Sequence, residues 1–221
     1  MPLWQPQQKW QDKDVFIIGG GPSLRKFDFE LLKPELTIGC NSAFMLGVEI
    51  CKICIFGDRN WFNTFEKGLA KYEGAVFTNC KSLLNTKLPW LWTMPRSERG
   101  FSHTALAWNN NTGVSAINLA FLLGVKRIYL LGFDMRRTVE HSNWHDRIVN
   151  PAQVKPEVYR LFCVEYKKVV QSWHDVFPDV EIINVTFGSA LPNEYFPWVD
   201  PDEFWEGRRQ LQGQFGIKEA V

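Results

Sequence analysis

The strongest constraint on this chain is an alternation of two periods along its sequence. Short, largely β-branched apolar runs occur at Val15 to Ile18, Leu36 to Cys40, Ile53 to Gly57, Ala75 to Thr78, Arg127 to Phe133 and Glu181 to Val185. Between the later runs lie longer stretches with helical spacing. Gly113 to Leu123 is nearly all apolar, yet it contains Ala116, Asn118 and Ala120 and is long for a strand, so it reads as a buried helix that Gly124 ends. Pro156 to Phe177 places Val158, Leu161, Phe162, Tyr166, Val169, Val170, Trp173 and Phe177 on one helical face. Strands alternating with helices predict an α/β, Rossmann-like fold: a mostly parallel sheet with helices on both faces. Arg127 to Phe133, apolar throughout its centre, reads as a central parallel strand.

A length of 221 residues fits one nucleotide-binding domain over 1–221, because single cores stop growing at roughly 250–300 residues. Its last part, 186–221, carries an aromatic tail from Tyr195 to Trp205 with too much proline for regular structure. That tail is expected to pack on the domain or on a second subunit of a homo-oligomer, with a lid over the substrate as the other use. Hydrophobic residues at 45% and charged residues at 22% exclude a disordered or fibrous chain. A net charge of +1 argues against a nucleic-acid ligand, which a basic excess would serve. The polar start and the lack of any apolar run near 20 residues predict a cytoplasmic protein with no transmembrane segment. Five cysteines without regular spacing fit a reducing compartment. Cys51 and Cys54 have zinc-like spacing but no second pair, and they sit in and beside a strand, so no metal site is expected there.

The chemistry-bearing residues follow the strands. Gly19, Gly20, Gly21, Pro22 and Ser23 form the first strand-to-helix turn, where glycine lets backbone amides approach a phosphate and Ser23 is placed to cap the next helix. Asn41 and Ser42 follow the second run, and Asp58 follows the third, at carboxyl ends where open α/β sheets bind ligands. Asn109 to Gly113 gives the apolar helix a small polar start, so Asn111, Thr112 and Gly113 either cap the helix or hold an anion on its free amides. Gly132 and Asp134 end the central strand and lead to Arg136, Arg137 and a loop with His141 and His145. Arginine neutralises a leaving phosphate, and histidine accepts a proton from a hydroxyl near neutral pH. The His141 and His145 spacing also suits two metal ligands, but nothing sets the pair on a helix, so catalysis is the preferred reading.

These motifs, Gly20 to Leu24, Cys40-Asn41-Ser42, Thr112-Gly113, Ile128 to Asp134 and the histidine loop, are together similar over residues 15–145 to the bacterial CMP-sialic-acid sialyltransferase family of lipooligosaccharide synthesis. The resemblance implies a Rossmann-like domain and metal-independent, inverting transfer from a nucleotide-sugar co-substrate, with no other cofactor. By the same resemblance, Asn41 contacts the donor phosphate, Asp58 replaces an Asn near the donor, Thr112-Gly113 replaces a Ser-Gly, and His141 or His145 is the base. Gly20 stands where that family has a phosphate-proximal Asn, and Arg136 aligns with one of two tyrosines that assist the leaving phosphate. The second tyrosine has no match. The archaeal 6-hydroxymethylpterin diphosphokinase-like proteins share the glycine turn and the Gly-x-Asp strand end, and imply a magnesium-dependent kinase instead. A non-catalytic nucleotide-binding protein on the same scaffold is the third reading.

Overall fold

The structure is a computed structural model that describes residues 9–108, 110–138, 140–145 and 155–215. Asn109, the polar stretch before residue 9 and the end of the 186–221 tail lie outside the described residues. The strands are β1 (Asp14–Ile18), β2 (Thr37–Cys40), β3 (Ile53–Phe56), β4 (Ala75–Thr78), β5 (Leu91–Thr93), β6 (Arg96–Ser97), β7 (Leu106–Ala107), β8 (Arg127–Leu131) and β9 (Glu181–Asn184). Among the described residues four α-helices accompany them: α1 (Arg59–Leu69), α2 (Thr112–Leu122), α3 (Pro156–Val176) and α4 (Pro201–Phe215). Seven strands form one parallel sheet in the order β5-β4-β3-β2-β1-β8-β9, while β6 and β7 make a separate pair.

That order confirms the expected α/β, Rossmann-like architecture and locates its switch point. From β1 the chain adds β2 to β5 on one side, then returns to place β8 and β9 on the other. The loops after β1 and β8 therefore diverge, and a crevice opens between them at the carboxyl ends.

Side-chain alternation explains how both faces are covered. Val15, Ile17, Ile53, Ile55, Ile128 and Leu130 point to the face where α2 and α3 pack, with Tyr166, Val169 and Trp173 opposite them. Phe16, Ile18, Tyr129 and Leu131 point to the other face, against Leu24, Leu32 and Trp205. Cys54, Phe56 and Val76 continue that second face beneath Phe62 and Leu69 of α1. Cys51 and Cys54 are thus packed among apolar residues, where burial pushes the Cys51 thiol up to about 11.

Several local expectations need correction. Strands β1, β2 and β4 end where read, whereas β3, β8 and β9 end one or two residues early; Gly132 takes φ +69, which stops β8 at Leu131. The first turn leads not into an α-helix but into two 3-10 segments, Pro22–Lys26 and Phe29–Leu32, and the cap of the first is Gly21, not Ser23. The aromatic tail is also more regular than its prolines implied. Pro201 opens α4 at a position where its missing N–H costs nothing, and Asp200 accepts from the amide of Asp202.

Helix α4 closes the second face. The Trp205 ring stacks on Phe16 at 5.3 Å, and Arg208 lies over the same ring while both its terminal and ε nitrogens donate to Glu35. Among the described residues the buried Trp205 indole N–H has no partner, so its contribution is packing alone. Trp205→Ala should cost about 3–5 kcal/mol of unfolding free energy in urea, and Trp205→Phe, which removes the unpaired N–H, less than about 1.5 kcal/mol. Equal losses in the two variants would refute the packing account.

Candidate functional site

A cleft of about 410 Å³ opens at the switch point. Its lining comes from the ends of β1, β2, β3 and β8, the start of α2, one face of α3 and the loop after β8. From β3 to β8 it crosses three strand spacings, about 14 Å.

The floor is a junction between two turns. The Gly19 amide donates to the Leu131 carbonyl at 2.7 Å, and the Gly21 amide to the Gly132 carbonyl at 2.9 Å. Side chains are excluded from this seam: a Cβ on Gly19 would sit 2.5 Å from the Gly132 oxygen, and one on Gly21 would overlap the Asp134 carboxylate. Gly19 and Gly21 are needed first for this close approach. Their amides are spent on Leu131 and Gly132, so they are not open to a phosphate.

The N-terminus of α2 also opens on the cleft. Asn111 caps this helix, its Oδ1 accepting from the Gly113 amide at 2.8 Å, and Asn111, Thr112 and Gly113 all line the cleft. Oriented amides and the positive end of an 11-residue helix make a site for negative charge. Asn41, held at φ +51, faces Thr112, whose hydroxyl lies 3.5 Å from the Asn41 Oδ1. Arg136 supplies a cation at the rim and rests against the backbone of Gly188, where a Cβ would collide with its guanidinium.

Asp134 is 3% exposed and works on the seam. Its Oδ1 accepts from the Ser23 amide and its Oδ2 from the Ser23 hydroxyl, both at 2.8 Å. Ser23 thus holds Asp134 instead of capping a helix. Burial raises the Asp134 carboxyl above its ordinary value of 3.8, opposed by the Ser23 hydrogen bonds and by Arg136.

Of the residues expected at the site, the cleft gathers Gly19, Gly20, Gly21, Asn41, Asp58, Asn111, Thr112, Gly113, Gly132, Asp134 and Arg136. Pro22 is buried beside it, and Ser42 lies beneath, its hydroxyl accepting from the Trp61 indole at 3.4 Å. Asp58 also caps α1, accepting from the Trp61 amide at 2.7 Å. His141 and His145 are not in the lining, but Ser142 and Asn143 between them are. That loop is pinned onto the glycine turn: the Trp144 amide donates to Gly20 and its indole to Gly19, each at 3.2 Å, and Asn143, oriented to satisfy its amide, donates to the same Gly20 oxygen. The His141 Nε2 lies 3.6 Å from Glu140, and the His145 ring stands edge-on to Trp144. Among the described residues no three His, Cys, Asp or Glu side chains gather as a metal set.

Sequence reasoning missed the contribution of α3. Val158, Tyr159, Phe162 and Tyr166 line the cleft, although Phe162 and Tyr166 had been read only as a core stripe. Tyr166 is fully buried and donates to Asn111 Oδ1 at 3.2 Å, and Tyr159 donates to the Ser142 carbonyl at 3.4 Å. Burial raises both phenols above the ordinary tyrosine value. Two tyrosines therefore enter the cleft from α3. Trp108 was also missed: it covers Gly57 beside Asp58, with the Arg96 guanidinium 4.1 Å over its ring.

The raised Asp134 carboxyl binds its proton more tightly in the folded chain than in the unfolded one, so its contribution to stability is full below pH 3.8 and falls as pH climbs through the native value. Urea unfolding of wild type and Asp134→Asn across that window should show the difference moving in favour of the variant as pH rises. A difference that stays flat would contradict the burial of this carboxylate.

No family model matches the chain, and no curated protein matches it. Among solved structures it is similar to the sialyltransferase CstII from Campylobacter jejuni, determined in complex with a substrate analogue, cytidine-5'-monophosphate. The identity is 16%, the match covers 86% of each chain, and the TM-score is 0.54, which establishes a shared sialyltransferase-like fold.

Proposed function

We propose that this protein is a glycosyltransferase that moves a sugar from a nucleotide-sugar donor of the CMP type to an acceptor hydroxyl, without a metal ion. The observation that carries the reading is the position of the anion site. The positive end of α2, Arg136 and Asn41 meet in one cleft at the switch point, on a fold shared with a sialyltransferase.

The nucleoside would lie along the polar arm toward Asp58 and Trp108, with its phosphate over Thr112 and Gly113 and beside Asn41. The bond between the sugar carbon and the phosphate oxygen breaks, and that carbon bonds to the acceptor oxygen. Negative charge grows on the departing nucleotide, where α2 and Arg136 oppose it. The acceptor proton passes to His141 or His145, which flank the lining pair Ser142 and Asn143.

A magnesium-dependent diphosphokinase is the second reading, favoured by Asp58 and Asp134 lining one cleft. They stand at strand ends about 14 Å apart, and Asp134 is already engaged by Ser23, which leaves no paired carboxylates for one ion. Calorimetric titration with CMP, UDP and ATP, with and without magnesium, separates the readings. Metal-free binding of CMP or UDP is expected. Binding only of ATP with magnesium would replace the transferase by the kinase, and no binding at all would leave a scaffold without this chemistry.

Once a donor and acceptor are in hand, replacing the true base by Ala should lower turnover by about 10²–10⁴ while donor affinity stays, because the base acts on the acceptor. Full turnover in both His141→Ala and His145→Ala would remove the loop histidines from the mechanism.

A further inference from the structure

A second cavity, of about 400 Å³, lies at the opposite end of the sheet from the cleft. Asp14, Arg127 and Glu181 stand side by side at the starts of β1, β8 and β9, and Asp12, Lys126 and Asp179, just before them in the chain, line this cavity. Helices α2 and α3 run from one space to the other. The first begins in the cleft at Thr112 and ends here at Phe121 and Leu122, and the second leaves the cleft at Val158 and leads here to Phe177. Eleven residues of α2 set the two spaces about 16 Å apart.

Both helices therefore turn their negative ends toward this cavity, the reverse of the positive end that α2 turns toward the cleft. The carboxylates of Asp12 and Asp179 join them against the single ammonium of Lys126, and among the described residues no ion pair engages any of the three. The rest of the wall is largely aromatic. Phe121 stacks on Phe177 at 4.4 Å, and the His103 ring meets Phe177 at 4.6 Å. Phe121 is buried, Phe177 half-buried and His103 exposed, so the rings step from the core out to solvent.

A negative field over aromatic surface selects a cation. Hydrogen-bond acceptors are already engaged here: carbonyls in the last turn of α2 accept from the amides of Leu123, Gly124 and Val125, and Asp12 Oδ1 accepts from Gln11 at 3.0 Å. A primary ammonium brings three donors that need such acceptors. A quaternary ammonium brings none and is held by the field and the rings alone. The geometry points to a site for a quaternary ammonium group of the choline kind, with Asp12 and Asp179 supplying the charge and Phe177 and His103 the aromatic surface. This site uses neither the donor nor the acceptor of the proposed transfer and stands apart from that reading.

The probes are choline and its neutral isostere 3,3-dimethylbutan-1-ol, in which carbon replaces the ammonium nitrogen, titrated into the full chain by ligand-observed NMR with and without CMP. Choline should bind at least about ten-fold more tightly than the alcohol, whether or not CMP is present. Asp179→Asn and Asp12→Asn should each lower that ratio. Asp12 sits at φ +59, a conformation asparagine also adopts, so the change spares the backbone. Phe177→Leu keeps an apolar side chain but loses the ring, and should weaken choline while leaving the alcohol unchanged, with thermal unfolding of each variant checking its fold. Phosphocholine identifies the bearer: binding of choline alone marks a free cation, and equal binding of both marks a headgroup. Failure to bind choline at millimolar concentration would overturn the inference, as would equal binding of choline and the alcohol. So would a preference that survives both Asp variants, or loss of choline on adding CMP, which would seat it in the cleft. Failure of CMP to bind while choline behaves as expected would sink only the donor reading.

Discussion

The architecture depends on the seam between the turns after β1 and β8. Two backbone hydrogen bonds and the Ser23 clasp on Asp134 join segments that diverge to opposite sides of the sheet. Without that seam the crevice at the switch point would have no floor. It also dictates composition: Gly19 and Gly21 are glycines because the facing turn comes too close for a side chain. A feature that reads as ligand chemistry is therefore, in the first place, a packing requirement.

Most of the sheet was legible in the sequence, and the reason is periodicity. A strand buried on both faces must be apolar at every position, so Val15 to Ile18 and the core of Arg127 to Phe133 announce themselves, and a helix as apolar as α2 has nowhere to lie but across that sheet. The ends were less legible, because a strand stops where a neighbour or a turn stops it. Gly132 belongs to the apolar run by composition and to the turn by its φ. Helix α4 was obscured by Pro197 and Pro201, since proline within a helix breaks it while proline at its first turn does not.

For the cleft, residues after strands were easier to find than residues along helices. Asn41, Asp58, Asn111, Thr112 and Asp134 sit where an α/β sheet directs its ligands, so position alone marked them. Tyr159 and Tyr166 could not be marked that way. On an amphipathic helix the residues facing a cleft and those facing a core belong to one stripe, and only the tertiary placement of α3 divides them. Trp108 was hidden for a similar reason: its place depends on Gly57, distant in sequence, having no side chain.

The packing of Trp205 on Phe16 has a consequence for how the chain acquires its structure. The ring from the first strand is covered by a ring from the last helix, and Glu35 near the second strand waits for Arg208 of that same helix. During synthesis the Phe16 ring lacks this cover until Trp205 and Arg208 have left the ribosome. Such distant closure slows the final step of folding and leaves a sticky surface open meanwhile, a period in which chaperones have something to hold.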